Sequence, residues 1–159
     1  MGNLYLGPLF KAVYDHPFVQ EFDSRMEMQK AVYLLEEMGV PVGGYGFYWY
    51  KHGPYSQSLQ NDILSISTEP DIPFSISADN NKSVKLLHDL MSKSVEYPTS
   101  NWAECLASLH YIKKNLLPKS ASDKDVVNEL KKRKPHLDNV ELNMQALHDL
   151  NSLFAENKR

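Results

Sequence analysis

The apolar positions divide the chain into helical stretches separated by polar or proline-bearing breaks. In "SRMEMQKAVYLLEEMG", Met28, Ala31, Val32, Leu35 and Met38 recur at the spacing that lines one face of a helix. Ser24 followed by Glu27 has the form of a capping box, and Gly39 with Pro41 supplies a left-handed stop. A shorter helix is expected over 4–13, ending near Asp15 and Pro17. Further on, "NWAECLASLHYIKKNLLP" places Trp102, Cys105, Leu106, Leu109, Ile112 and Leu116 on one stripe, and Pro118 ends it. Ser122 and Asp125 open the next helix, which Pro135 closes. Asp138 and Glu141 are expected to cap the last one, through Met144, Leu147, Leu150 and Phe154.

Between these helices the period changes. "GYGFYWYKHGPYSQSL" alternates at period two, with Tyr45, Phe47 and Trp49 on one strand face and Tyr48 and Tyr50 on the other. Gly53-Pro54 is expected to break the strand, and Ser56 to cap a helix whose inward row is Leu59, Ile63 and Ile66. Phe74 and Ile76 alternate with serines, suggesting a short strand, a turn at Asp79-Asn80-Asn81 and a helix over 84–95. The fold class expected is mainly α (α+β): a helical bundle with a small antiparallel β element, winged-helix-like. It is read as one domain over 1–159, with a motif region at 24–66 and a C-terminal helical part at 101–156.

Composition narrows the function classes. With 42% hydrophobic and 23% charged residues, the chain has the make-up of a globular protein rather than a disordered one. No apolar run reaches the ~20 residues of a membrane span, and the first ten residues lack the pattern of a signal peptide. The lone Cys105 excludes an internal disulfide, so a cytoplasmic location is expected. Net charge is −3, with an acidic first half and a mildly basic second half, which is no dominant nucleic-acid field. All seven glycines lie at or before Gly53, so unusual backbone conformations belong to the first third.

Reactive chemistry is sparse. "GVPVGGYG" lacks the spacing and the following lysine of a phosphate loop, and the scattered histidines do not form a metal-ligand set. No cofactor is expected. His52, Ser56 and Asp62 contain the residue types of a hydrolase triad, but Ser56 reads more simply as a helix cap, so a small hydrolase ranks third among the functions considered. "KKRK" at 131–134 precedes a turn and another helix, as in a helix-turn-helix. It sits where cations meet the negative end of a helix dipole, and the following helix opens acidic. The run is therefore read as a cap and a solvated surface, and a nucleic-acid-binding regulator of winged-helix type is the alternative function.

The stretch "MQKAVYLLEEMGVPVGGYGFYWYKHGPYSQSL" resembles the signature region of the Panacea (SocA-like antitoxin) domain and of YwgA-like bacterial proteins. Gln29, Lys30, Tyr33 and Leu34 match the helical part. Trp49, Tyr50, Gly53, Pro54, Tyr55, Ser56 and Leu59 match the part around Gly-Pro. "CLASLHYIKK" and "DVVNELKKRKPHLDNVELNMQAL" are similar to the helical tail of the YwgA-like members. The resemblance implies a non-enzymatic protein-binding module, antitoxin-like or prophage-associated, whose partner is a protein and, in the antitoxin case, a cognate toxin. The candidate partner-binding residues are Gln29, Lys30, Tyr33, Tyr48, Tyr50, Lys51, His52, Gly53, Pro54, Tyr55 and Ser56. Large amphipathic tyrosine surface at low entropy cost supports a contact role for the aromatic stretch. Its other role is as a hub joining helix, strand and helix.

Overall fold

The structure is a computed structural model that describes residues 5–14, 21–66 and 78–158. The helix predicted from the Met28–Met38 stripe is α2 (Phe22–Glu37), and it is buried far more completely than one stripe requires. Every residue from 26 to 35 is buried, including Glu27, Gln29 and Lys30. A helix enclosed on all sides must find partners for its polar side chains inside the protein.

Its ends arise differently. The expected capping box at Ser24 and Glu27 does not form: the helix already begins at Phe22, after Glu21, so Ser24 lies within the first turn. At the other end Gly39 adopts φ 89°, its N–H donates to the Glu36 carbonyl at 3.0 Å, and the Val40 N–H donates to the Leu35 carbonyl at 2.9 Å. This is the paired-bond Schellman stop that a left-handed glycine permits.

Around α2 pack α1 (Leu6–Tyr14), α3 (Gln57–Leu64), α4 (Ala78–Met91) and α5 (Thr99–Tyr111), with α6 (Asp123–Arg133) and α7 (Val140–Asn157) closing the far side. Among the described residues α2 and α5 form the most extensive helix pair. One cluster of buried side chains takes members from each of the described helices α1 to α7. Trp102, on the expected stripe of α5, is fully buried and donates its indole N–H to the Leu90 carbonyl at 2.9 Å, tying α5 to α4. α5 runs on into a π-helical turn (Ile112–Leu116), where the Leu117 N–H reaches the Ile112 carbonyl at 3.1 Å.

Several helix starts follow the residues expected. Ser122 and Asp125 form a reciprocal capping box on α6, and the Ser56 hydroxyl accepts the Leu59 N–H on α3. Two expectations are corrected. α7 is capped by Asn139, whose side-chain Oδ1 accepts the Leu142 N–H at 3.0 Å; Asp138 lies one residue outside the position that can reach it. The segment Asp79-Asn80-Asn81 lies in the first turn of α4 and is no reverse turn. The strand expected at Phe74 and Ile76 lies outside the described residues.

The β element is a local hairpin of β1 (Tyr48–Tyr50) and β2 (Gly53–Tyr55), antiparallel, with Tyr48 opposite Tyr55, Trp49 opposite Pro54 and Tyr50 opposite Gly53. Gly53-Pro54 therefore supplies the return strand instead of breaking the first one. Gly53 turns the chain at φ 88°, and proline is tolerated because β2 is an edge strand. The predicted facing holds within β1, where Tyr48 and Tyr50 are exposed and Trp49 is half-buried. Tyr45 and Phe47 share the inner side without joining the strand. No described helix is long and apolar enough to cross a membrane. The architecture is thus mainly helical with a small two-stranded sheet.

Two of the left-handed glycines, Gly39 and Gly53, differ in surroundings. A Cβ at Gly39 would meet open space, whereas one at Gly53 would collide with the Ser108 hydroxyl on α5. Gly39→Ala should cost about 1–2 kcal/mol, the left-handed penalty alone. Gly53→Ala should cost more in urea denaturation, and adding Ser108→Ala should recover part of that excess while leaving Gly39→Ala unaffected.

Candidate functional site

Two of the polar side chains enclosed in α2, Gln29 and Lys30, engage the hairpin and the residue that follows it. Gln29 pairs with the backbone of Ser56 in both directions: its amide nitrogen donates to the Ser56 carbonyl, and the Ser56 N–H donates to its amide oxygen, each at 2.9 Å. Lys30 donates to the Pro54 carbonyl at 2.7 Å. Two neighbouring residues of a helix thus occupy the outer edge of β2, where a third strand would otherwise hydrogen-bond.

The turn is held from the opposite side. Lys134, at the C-terminal end of α6, donates to the Tyr50 carbonyl at 3.2 Å and to the Lys51 carbonyl. Beneath these contacts lies the carboxylate of Glu104, on α5. It meets the His136 Nε2 at 3.0 Å, the Lys134 ammonium at 3.8 Å and the His52 Nδ1 at 4.0 Å. Glu104 and Lys30 are each only 1% exposed, so this is an interior charge cluster with one carboxylate and several basic groups. Burial pushes the Lys30 ammonium down to about 7, with Glu104 pulling it up and Lys134 pushing it further down. Burial also lowers His52 and Lys134, against the attraction of Glu104.

Above this support sits the outer face of the hairpin. The rings of Tyr48, Tyr50 and Tyr55 pack on one another, with centroids 5.1 Å apart for Tyr50 and Tyr55, 5.8 Å for Tyr48 and Tyr55, and 6.0 Å for Tyr48 and Tyr50. Lys51 lies over the Tyr50 ring at 5.9 Å. Beside them Phe22, 56% exposed, meets the His52 ring edge-on at 5.3 Å. Between Phe22 and the tyrosines opens a pocket of about 270 Å³ with Gln29 and Lys30 among its lining.

The inner face is different. Trp49 stacks near Tyr111 at 5.7 Å and lies under Arg133 and Lys134 at 5.7 and 5.2 Å. Tyr33 shares a hydrogen bond of 2.8 Å with the His110 Nδ1, and its ring meets Phe47 edge-on. Burial pushes the Tyr33 phenol well above its ordinary range and the His110 imidazole down to about 4.

The candidate set from the sequence therefore divides. Tyr48, Tyr50, Lys51, His52 and Tyr55 come together at or near the surface. Gln29, Lys30, Tyr33, Gly53, Pro54 and Ser56 are buried, and Gln29 and Lys30 reach the pocket beside the tyrosines from below. The triad types His52, Ser56 and Asp62 are separately engaged: His52 faces Glu104, Ser56 caps α3, and Asp62 accepts the Tyr45 hydroxyl at 2.6 Å. No group of three metal-binding side chains occurs among the described residues.

The reading of "KKRK" also needs correcting at one position. Lys131 and Lys132 are exposed and Arg133 pairs with Glu129 at 2.7 Å, but Lys134 is buried and holds the hairpin turn. Sequence reasoning missed Glu104 and Lys134. The available signal was a single acid inside the apolar run "WAECLASL" and a lysine in the cap position just before Pro135. No family model, curated protein or solved structure matches the chain.

Two outcomes follow from the interior cations. Lys134→Ala should lower unfolding free energy by about 1–3 kcal/mol, because two turn carbonyls lose their donor. Lys131→Gln and Lys132→Gln should stay within about 0.5 kcal/mol in the same urea titrations.

The second concerns pH. Between about 7 and 10.5 the folded chain binds fewer protons at Lys30 than the unfolded chain, so this group makes stability rise with pH there and fall as pH drops through 7. Cys105, Tyr14 and Tyr33, all pushed up by burial, oppose this trend once their unfolded values near 9 and 10 are approached. From about pH 6.5 to about 8.5 wild type should therefore gain on the order of 1 kcal/mol per unit relative to Lys30→Met. Parallel pH slopes for the two proteins would refute the assignment.

Proposed function

We propose that the protein is a non-enzymatic protein-binding module whose contact surface is the outer face of the hairpin. The observation that carries this reading is the cluster of exposed Tyr48 and Tyr50 with half-buried Tyr55, on two short strands that buried side chains hold from beneath. A two-stranded hairpin is marginal alone in water, so strong internal bracing of such a small element supports a role for the face it presents. Tyrosines there offer large contact area with two rotatable bonds each, and packing on one another reduces what remains to be ordered on binding.

The resemblance to the Panacea and YwgA-like proteins supports the same reading, with an antitoxin-like role and a cognate toxin as the partner. The single cysteine, Cys105, supports a cytoplasmic location. Nucleic acid is the less supported partner. Of the four basic residues at 131–134, Lys134 is committed to the hairpin and Arg133 to Glu129, and the α7 start carries Glu141 in its first turn.

The test compares pull-downs from the native host by wild type and by Tyr48→Ala/Tyr50→Ala, with thermal melts alongside. The double variant should melt within a few degrees of wild type and lose at least about 2 kcal/mol of partner affinity, near thirty-fold. Trp49→Ala should instead lower the melting temperature, because it removes an inner-face ring. Unchanged capture by the tyrosine variant, or salt-sensitive binding of duplex DNA by wild type alone, would reject the reading.

A further inference from the structure

A second concavity lies away from the tyrosine face, where the end of α5 and its π-helical turn meet α7. It encloses about 750 Å³, within the range of small-molecule sites. Its floor is apolar: Leu147, Leu150 and Phe154 fall at helical spacing on α7, and the His110 ring stacks on Phe154 with centroids 4.7 Å apart. Its rim is cationic. Lys113 and Lys114 come from the π-helical turn, Lys119 from the loop after it and Lys158 from the end of α7.

Among the described residues no carboxylate is part of the lining, and Glu37 adjoins it only through its pairing with Lys114. Two of the ammonium groups are positioned by neighbours: Lys113 donates to the Asn151 side chain at 2.8 Å, and Lys114 pairs with Glu37 at 2.7 Å. We propose that the groove binds a small amphipathic anion, with an apolar chain along the Leu147–Leu150–Phe154 floor and one carboxylate, sulfate or phosphate head among the lysines. Each half of that description answers a different part of the site. An apolar floor gives nothing to a fully hydrated ion or to a sugar-phosphate chain, and a ring of lysines repels a cationic amphiphile and leaves a neutral one without a partner for its head. The inference does not rest on the protein-binding reading, since no residue of the tyrosine face lines the groove.

The probe is dodecanoate below its micellar concentration, followed by calorimetry and by the ring resonances of His110. Wild type should bind one equivalent saturably, with the His110 resonances moving, and dodecyltrimethylammonium should give neither response. Lys113→Gln/Lys119→Gln/Lys158→Gln should weaken dodecanoate at least about ten-fold, the scale of one good charge-assisted contact. Ala155→Trp, at an exposed position lining the groove, should abolish binding by filling it, while thermal melts confirm that both variants remain folded. Tyr48→Ala/Tyr50→Ala should bind dodecanoate as wild type does, which separates this result from that for the protein partner. Absence of saturable binding to wild type would overturn the proposal. So would equal binding of the ammonium amphiphile, or undiminished affinity in folded Ala155→Trp.

Discussion

The capture of the backbone of β2 and of Ser56 just beyond it by Lys30 and Gln29 is the interaction on which the rest of the molecule depends. Two strands of three residues each expose backbone donors and acceptors along both edges, and their own ladder is too short to hold them. A buried helix supplies the missing pairing through side chains, so the hairpin is as firmly located as α2 itself. Each neutral bond of this kind contributes about 1 kcal/mol net, but leaving the same buried groups unpaired would cost more. The bonds are therefore specific before they are strong.

The buried charges have the same character. Glu104, Lys30 and Lys134 would be expensive inside an apolar core without one another, and even paired they add little that a well-packed apolar trio could not. What they add is direction. Lys30 and Lys134 approach the hairpin from α2 and α6, and Glu104 on α5 faces both. Strand, turn and three helices are held in one relative arrangement, which hydrophobic packing alone would permit to slide.

Helical periodicity made the stripes of α2, α5 and α7 legible, because burial of one face leaves a regular record in the chain. Gly39, Ser56 and Ser122 were legible for a related reason: a cap or a left-handed stop is chosen by local backbone geometry. Other features depend on distance in space. Gly53-Pro54 reads locally as a break, yet it pairs with β1 as a strand whose outer edge is met by Lys30, 24 residues before Pro54. Lys134 reads as one cation among four until the fold brings the Tyr50 carbonyl to it across 84 residues. The exposed half of the candidate surface was visible in the alternation of β1. The burial of Gln29 and Lys30 was not, since polar residues on a helix ordinarily mark its solvent side.

The pairing of Gln29 with Ser56 also restricts what position 29 can encode. The site needs one donor and one acceptor, held in a plane and carried far enough from the helix axis to meet a backbone N–H and a carbonyl together. Glutamate would turn an anionic oxygen toward the Ser56 carbonyl, lysine would offer no acceptor, methionine would abandon both groups, and asparagine is one methylene short. Among the twenty residue types glutamine alone reproduces a peptide bond at that reach. In this protein a side chain of α2 stands in for a length of main chain, and the genetic alphabet has a single letter for it.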